Sequence, residues 1–262
     1  MNAAKLPDSF QLREIFHLEF LRWFGRKVPA ASFAVKGGVN MRFFFGSPRY
    51  SEDIDLDVVH VEVSALKEVV MKILETQAFQ NELKPFGIEH LALPEMAKAK
   101  QTETTQRFKV HLLTGAGEDL FSKIEFSRRG FKGRARPEFV SETILRGYGM
   151  SPLIVPHYDL ASAILQKIEA LATRSETQAR DIFDLHALST LGHGKDVSPL
   201  MPASRIETAR ERLFEVGYRQ YLDTVVAYLN PEDRAIRASP EIWDETQLRV
   251  ARFLEEIEKK HA

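Results

Sequence analysis

The chain has 262 residues, of which 44% are hydrophobic and 28% are charged, a composition that fits a folded protein and excludes a disordered one. It has no cysteine, which excludes disulfide scaffolds, thiolate metal sites and cysteine nucleophiles. With a formal net charge of −1, a nucleic-acid partner would have to be met by a local basic patch.

Hydrophobic periodicity predicts both helices and strands in the first part of the chain. The predicted helices cover residues 9–27, 40–45 and 64–79, and the predicted strands cover 32–35, 53–59, 88–93, 106–113 and 120–127. Beyond Pro152 and Pro156 the strand signals stop, and helices are predicted over 158–172, 177–191, 204–215, 220–229 and 240–259. The pattern predicts an α+β fold, with a mixed β-sheet domain flanked by helices over residues 1–150 and a helical domain over residues 151–262.

The alternation over residues 53–57 is the sharpest chemical signal. In Asp53-Ile-Asp-Leu-Asp57, residues two apart share one face of a strand, so Asp53 and Asp55 project side by side. Two adjacent carboxylates repel each other unless a cation lies between them or one is protonated. Hard oxygen ligands on a strand suit Mg²⁺, and the alternative is a solvated acidic strand face.

A glycine pair precedes these carboxylates. Lys36-Gly37-Gly38 follows a predicted strand and opens a helical segment, where backbone N–H groups can approach phosphate oxygens. Arg49 and Ser51 add a cation and a hydroxyl near the same rim. A Gly-Gly pair alone is usually only a turn.

Glu125 is the candidate for a third carboxylate of a two-metal site. Ile124 and Phe126 point to one side of their predicted strand, and Glu125 points to the other side with Lys123. A polar pocket and an edge strand with one wet face explain this pattern equally well.

Charged residues also interrupt the apolar stripes of two predicted helices in the second half. Lys167 lies at helical spacing with Leu160, Ile164 and Leu171, and Asp181 lies in the stripe of the next helix. The two form either a buried Lys–Asp pair that links two helices or a pair that projects into a cleft between the domains.

One dense basic run follows Glu125. It contains two glycines, Phe131 and the cations Arg128, Arg129, Lys132, Arg134 and Arg136. Basic side chains around an aromatic ring suit an RNA backbone with a stacked base, whereas most charge runs are solvated loops.

Four segments in order resemble the AbiEii/AbiGii (MenT-like) nucleotidyltransferase toxins of the polymerase-β-like nucleotidyltransferase superfamily. They are Val35-Lys-Gly-Gly-Val-Asn-Met-Arg-Phe43, Arg49-Tyr-Ser-Glu-Asp-Ile-Asp-Leu-Asp57, Leu165-Gln-Lys-Ile-Glu-Ala-Leu171 and Ala179-Arg-Asp-Ile-Phe-Asp-Leu185. The resemblance implies a nucleotidyltransferase-like sheet domain and a helical domain that closes the nucleotide cleft.

The resemblance also implies residue roles. Gly37 and Gly38 would hold the triphosphate, and Asp53 and Asp55 would bind two Mg²⁺ ions. Glu125 is similar to the third acidic position, which helps to accept the proton of the attacking hydroxyl. Lys167 would contact the nucleotide phosphates, and Asp181 matches the acidic residue of the last motif.

One position departs from the family pattern. Many members have Ser or Thr directly after the two glycines, where this chain has Val39, so the hydroxyl contact is lost or is supplied by Asn40 or Ser51. This departure favours the alternative of a nucleotide-binding (GTP-binding) protein without transfer activity. A protein-interaction module based on the helical half is a third hypothesis.

The main expectation is a Mg²⁺-dependent nucleotidyltransferase. It would move an NMP from a nucleoside triphosphate to an acceptor such as a tRNA 3′ end, as the toxin of a toxin–antitoxin or phage-defence pair with a cognate antitoxin as partner. No apolar stretch approaches the roughly 20 residues of a membrane span, and the N-terminus lacks the apolar core of a signal peptide. We therefore expect a cytoplasmic location and no membrane partner.

Overall fold

The computed structural model describes residues 7–97, 99–192 and 201–259, which form two compact units. The first unit comprises the described residues up to Phe44 together with Tyr50–Phe131 and Ala135–His157. The second unit comprises Phe45–Arg49, Lys132–Arg134 and the described residues from Tyr158 onward. Within the described ranges, no helix combines the length and apolar character that a membrane crossing needs.

A seven-stranded mixed sheet forms the centre of the first unit. Its strands are β1 (Phe33–Lys36), β2 (Asp53–Val58), β3 (Ile88–Ala92), β4 (Thr105–Thr114), β5 (Asp119–Ser127), β6 (Ala135–Phe139) and β7 (Ile154–Tyr158). They lie in the order β3-β4-β5-β2-β1-β7-β6. Strand β2 pairs in parallel with β5 and antiparallel with β1, so the predicted α+β fold with a mixed sheet is confirmed.

Helices cover the apolar side of this sheet. They are α1 (Ser9–Gly25), α2 (Gly37–Phe44), α3 (Val63–Glu75), α4 (Gln77–Leu83) and α5 (Glu142–Gly147). Helix α1 begins at a capping box in which the Asp8 carboxylate accepts the Gln11 N–H and the Gln11 side chain accepts the Asp8 N–H. Phe16, Phe20 and Phe24 of this helix are fully buried, so α1 supplies a large aromatic part of the core.

Strands β6 and β7 and helix α5 were not predicted from the sequence. The expectation that strands stop near Pro152 and Pro156 was wrong, because β7 includes Pro156, continues to Tyr158 and pairs in parallel with β1 at Val35 and His157. Proline donates no backbone hydrogen bond and therefore conceals a strand from pattern analysis. Strand β6 lies at the edge of the sheet and also contains a proline, Pro137.

The described part of the second unit is helical. Its helices are α6 (Leu160–Thr173), α7 (Ala179–Thr190), α8 (Ala203–Arg212), α9 (Tyr218–Thr224), α10 (Pro231–Arg237) and α11 (Pro240–Glu258). The helices predicted over 204–215 and 220–229 both end in 3₁₀ turns, and α10 was not predicted. Trp243 of α11 is buried, stacks on Tyr221 and donates from its indole nitrogen to the Val216 carbonyl, which secures the last helix.

Candidate active site

The polar side of the sheet carries four carboxylates on two adjacent strands. Asp53, Asp55 and Asp57 of β2 lie in parallel register with Lys123, Glu125 and Ser127 of β5. We call Asp53, Asp55, Asp57 and Glu125 the acidic face. The intervening Ile54, Leu56, Ile124 and Phe126 are buried on the other side, as the alternation predicts. Each strand therefore has one polar side and one apolar side, and the pairing of β2 with β5 brings Asp55 beside Glu125.

Asp57 is committed to an ion pair inside the protein. Its carboxylate is 3% exposed, and its Oδ1 atom lies 2.6 Å from Lys36 Nζ. Lys36 is itself opposite Asp55 in the β1–β2 register. The third aspartate of the motif thus positions Lys36 and is distinct from the other two aspartates, which are more exposed.

Two cations contact Glu125. Arg107 of β4 donates from Nε to Glu125 Oε2 at 2.6 Å, and Lys123 Nζ lies 3.7 Å from the same oxygen. Lys123 also lies 2.9 Å from Asp53 Oδ2. Burial acts to lower the pKa of Lys123, but the hydrogen bond and charge of Asp53 and the charge of Glu125 outweigh burial and raise it. Lys123 is therefore a cation held between two carboxylates.

Asp55 differs from the other members of the acidic face. Among the described residues no cation forms an ion pair with Asp55, although Lys36 and Lys123 attract it from a greater distance. Burial, followed by the negative charge of Glu125, raises its pKa. Asp55 is a carboxylate whose charge lacks a close counter-charge, which is the state that a bound cation would relieve.

Gly37 brings the backbone directly against Asp55. Its φ is +66°, a left-handed conformation that favours glycine, and a Cβ atom at this position would lie 2.9 Å from Asp55 Oδ2. Gly37 is also the first residue of α2, whose N-terminal N–H groups attract anions. The glycine is thus required both by the turn and by the space beside the carboxylate, and Gly38 follows within the first turn of the same helix.

Val39 points away from this region. Its side chain is 2% exposed and belongs to the hydrophobic core of the first unit. Asn40 is buried as well, and its Oδ1 atom lies 2.9 Å from His157 Nδ1. Ser51 donates its hydroxyl proton to the Asp53 carbonyl at 2.8 Å, so it is engaged at the start of β2. Because Val39 packs in the core, its lack of a hydroxyl no longer favours a protein that binds nucleotide without transferring it.

A buried hydrogen-bond chain fixes the starts of β2 and β5 relative to each other. Ser122 donates its hydroxyl proton to the Glu52 carbonyl at 2.7 Å, and His17 Nε2 lies 2.9 Å from the same hydroxyl oxygen. Burial and the positive charge of Arg13 lower the pKa of His17 to about 3, so the ring is neutral and donates from Nε2. Glu52 and Ser122 directly precede Asp53 and Lys123, and no sequence pattern pointed to His17 or Ser122.

The second unit contains its own buried ion cluster. Lys167 Nζ lies 2.9 Å from Asp181 Oδ1 and 2.6 Å from Asp184 Oδ2, and Arg49 Nη2 lies 3.4 Å from Asp184 Oδ2. Arg174 Nε lies 3.0 Å from Asp181 Oδ2. Burial acts to raise the pKa of Asp181, but Lys167 and Arg174 outweigh it and hold that pKa below its ordinary value.

This cluster contains three of the residues singled out from the sequence, namely Lys167, Asp181 and Arg49. The Lys–Asp pair between two helices is present, since Lys167 belongs to α6 and Asp181 to α7. Arg49 is 6% exposed, and its contact with Asp184 ties the segment Phe45–Arg49 to the second unit. Their proposed roles toward phosphate remain predictions from the resemblance.

The cations of the basic run differ in their surroundings: one has structural contacts and the others are exposed. Arg128 donates to the Val61 carbonyl at 2.6 Å and to Gln106 Oε1 at 3.1 Å, so its guanidinium helps to hold β5 in place. Arg129, Lys132 and Arg134 are exposed. Arg136 is also exposed and lies 2.8 Å from Glu138. The exposed members stay candidates for an RNA contact, whereas Arg128 has a structural partner.

The acidic face has the chemistry that a divalent cation needs. In the described ranges, no group of three or more His, Asp or Glu side chains is already arranged as a metal site. The acidic face nevertheless offers carboxylate oxygens from two paired strands, and no cation among the described residues forms an ion pair with Asp55. Hard carboxylate ligands suit Mg²⁺, which also takes substrate phosphates as ligands. The chemistry of these side chains therefore fits such an ion.

A mixed sheet with carboxylates on two adjacent strands and a glycine turn beside them is an arrangement that a nucleotidyltransferase can use. A family model described as nucleotidyl transferase AbiEii toxin, type IV toxin–antitoxin system, matches residues 20–261. The chain therefore belongs to the AbiEii family of nucleotidyltransferase toxins. This result confirms the family resemblance and the class of enzyme expected from the sequence.

Solved structures show the same fold at low sequence identity. The crystal structure of JHP933 from Helicobacter pylori is 21% identical, covers 98% of this chain and 95% of its own, and has a TM-score of 0.59. MenT4, a nucleotidyltransferase toxin from Mycobacterium tuberculosis, is 14% identical, covers 97% of this chain and 88% of its own, and has a TM-score of 0.58. No curated protein matches the chain in sequence.

Proposed function

We propose that this protein is a Mg²⁺-dependent nucleotidyltransferase that moves an NMP from a nucleoside triphosphate to an RNA acceptor, with a tRNA 3′ end as the first candidate. Asp53, Asp55 and Glu125 are the proposed metal ligands. The observation that carries the proposal is Asp55, which has a raised pKa, no ion-pair partner among the described residues, and Gly37 directly beside it. Such a carboxylate is set up to accept a cation that arrives with phosphate.

The phosphates are assigned to the start of α2. The backbone N–H groups after Gly37 lie at the positive end of this helix, and the glycine lets an anion approach without a side chain in the way. Lys36 precedes this turn and is about a quarter exposed while it pairs with Asp57. Lys36 therefore contributes positive charge from a fixed position, which suits a point contact to a phosphate oxygen.

Glu125 is the proposed acceptor of the proton from the attacking hydroxyl. Arg107 and Lys123 both contact its Oε2 atom, so Oε1 is the oxygen assigned to the proton. Arg107 orients the carboxylate through a short charge-assisted hydrogen bond. The bound Mg²⁺ would stabilise the charge that develops on the phosphate oxygens as pyrophosphate leaves.

The RNA acceptor is assigned to the exposed cations of the basic run. Arg129, Lys132 and Arg134 carry positive charge within ten residues of Glu125 in the chain. The biological role proposed from the family is that of the toxin of a toxin–antitoxin or phage-defence pair, controlled by a cognate antitoxin. Lys167 and Asp181 enter the proposal through the family resemblance, as a phosphate contact and an acidic residue of the last motif.

The direct experiment is transfer from each of the four labelled nucleoside triphosphates to total RNA, with Mg²⁺ and with EDTA. We expect labelled RNA and pyrophosphate only with Mg²⁺, and neither product from the Asp55→Asn variant. Asp119→Asn is the matched control, because Asp119 is an exposed carboxylate at the start of β5 that pairs with His111. Transfer by Asp55→Asn at the wild-type rate would refute the metal assignment.

The same experiment separates the alternative functions. Nucleotide binding without pyrophosphate release, in wild type and with every RNA fraction, would identify a nucleotide-binding protein. The absence of both binding and transfer would point to an interaction module.

A further inference from the structure

We propose that Lys123 is a further functional residue of this site: its ammonium competes with the divalent cation for Asp53 and Glu125, and thereby couples cation binding to the arrival of the triphosphate. The proposal rests on the proposed function, because it takes the acidic face as the cation site. It adds a residue to which neither the family resemblance nor the sequence motifs assign a role.

Register and distance place Lys123 among the proposed metal ligands. Lys123 is opposite Asp53 in the parallel β2–β5 pair and lies two residues before Glu125 on the same side of β5. Its Nζ atom is 2.9 Å from Asp53 Oδ2 and 3.7 Å from Glu125 Oε2, and a quarter of its side chain is exposed. The ammonium therefore holds one oxygen of each carboxylate while remaining able to leave toward solvent.

The two cations repel each other at the same carboxylates. A metal ion on the oxygen that accepts the ammonium hydrogen bond at 2.9 Å would lie close to another positive charge, which weakens its binding. No ammonium in the described part of the chain forms an ion pair with Asp55, so it is the carboxylate that can accept a divalent cation first. While Lys123 stays beside Asp53 Oδ2 and Glu125 Oε2, its positive charge opposes a divalent cation shared by these carboxylates, and its departure removes that repulsion.

The triphosphate supplies the reason for Lys123 to move. An ammonium group is a compact charge on a flexible stem, and it binds phosphate oxygens well. When a polyanion enters beside Gly37, Lys123 gains a second possible partner and Asp53 is released. By linkage, a nucleotide that strengthens cation binding is itself bound more tightly in the presence of the cation.

Lys109 offers a matched control. It is opposite Lys123 in the β4–β5 register, is exposed, and forms no ion pair with any residue in the described part of the chain. Its removal changes the charge of the protein by the same amount without touching Asp53 or Glu125. Arg107 is less suitable because it orients Glu125 directly.

The test is Mn²⁺ binding, measured by the loss of the free-ion EPR signal, in wild type, Lys123→Gln and Lys109→Gln. Without any phosphate ligand, we expect Lys123→Gln to bind Mn²⁺ roughly fivefold or more tightly than wild type. Lys109→Gln should match wild type. Inorganic tripolyphosphate should strengthen Mn²⁺ binding more in wild type than in Lys123→Gln. The Mn²⁺ that tripolyphosphate binds by itself is measured separately and subtracted.

Two further variants keep the outcomes distinct. Lys123→Arg retains the cation and should bind Mn²⁺ as weakly as wild type, which tests the idea even if Lys123→Gln fails to fold. If Lys123→Gln and wild type bind Mn²⁺ equally while Asp55→Asn loses binding, the competition is refuted and the metal site stands. If Asp55→Asn binds Mn²⁺ as wild type does, the proposed metal site itself is refuted.

Discussion

Replacement of Gly37 by alanine tests the contact between the glycine turn and Asp55. Gly37 has a φ of +66°, and an alanine Cβ would lie 2.9 Å from Asp55 Oδ2, where ordinary van der Waals contact begins at 3.4 Å. The carboxylate must therefore shift by about 0.5 Å, since it is the free end of a side chain and yields more easily than the backbone. A misplacement of about 1 Å costs roughly 100-fold in rate, so we expect transfer to fall about tenfold.

Gly46→Ala is the control for backbone strain. Gly46 has a φ of +67° and no atom within 4 Å of the place that a Cβ would occupy, so it experiences the same conformational penalty without the contact. A left-handed alanine costs about 1–2 kcal/mol, partly offset by about 0.4–1 kcal/mol from the lower entropy of the unfolded chain. Gly46→Ala should therefore lose about 1 kcal/mol and melt about 2–4 °C below wild type, and Gly37→Ala should lose at least as much because of the added contact.

The assays are thermal unfolding and pyrophosphate release from labelled nucleotide, compared at a temperature where all three proteins are folded. Only Gly37→Ala should lose transfer activity. Wild-type activity in both Gly37→Ala and Gly46→Ala would refute the argument that the space beside Asp55 requires glycine. An equal loss in both would show that the backbone conformation, and not the contact, controls the rate.

Three further predictions concern charge. Burial and the charge of Glu125 raise the pKa of Asp55, so ionisation of this carboxyl destabilises the folded protein. Asp55→Asn should therefore be more stable than wild type in urea unfolding at pH 7. This difference in stability should shrink as the pH falls through the raised pKa, because the wild-type carboxyl then becomes protonated. The pKa of His17 is lowered to about 3, so the free energy of unfolding of wild type should fall by up to about 1.4 kcal/mol per pH unit below about pH 6.5. Urea unfolding of His17→Gln should not show this loss. Arg129→Ala/Arg134→Ala should weaken RNA binding and reduce its salt slope by about one per lost phosphate contact, with nucleotide affinity unchanged in a titration.

Each of these predictions has a contradicting result. Lower stability of Asp55→Asn at pH 7 would show that the carboxylate is already neutralised. Parallel pH profiles for wild type and His17→Gln would remove His17 as the source of acid sensitivity. An unchanged salt slope in the double arginine variant would exclude those side chains from the RNA contact.

The sequence was informative where one strand carries the whole pattern. The alternation in β2 identifies Asp53 and Asp55 as neighbours, and the alternation in β5 places Glu125 and Lys123 together, because side chains on a strand alternate with a period of two. The fold class followed from the same periodicities. Individual chemistry-bearing residues could thus be found without any knowledge of which strands pair.

The contacts that these side chains make with one another could not be predicted from a single strand. The contact of Lys123 with Asp53 and that of Arg107 with Glu125 depend on the register between strands that are distant in sequence. Arg49 is buried against Asp184, 135 residues away in the chain, and its motif gave no indication of this contact. Long-range pairing of this kind depends on the tertiary fold, and no local pattern encodes it.

The second unit is built from several separate segments of the chain, and this affects how chimaeras with related proteins can be made. Two inner segments, Phe45–Arg49 and Lys132–Arg134, belong to that unit although they lie within the sequence of the first. Arg134 donates its backbone N–H to Ser162 Oγ at 2.7 Å, and a Cβ on Gly133 would lie 2.6 Å from Ser162 Cβ. A single crossover near residue 158 would therefore bring in a helical half without the two inner segments that pack in the same unit. Functional chimaeras between members of this family should arise only when the two inner segments are exchanged together with the C-terminal half.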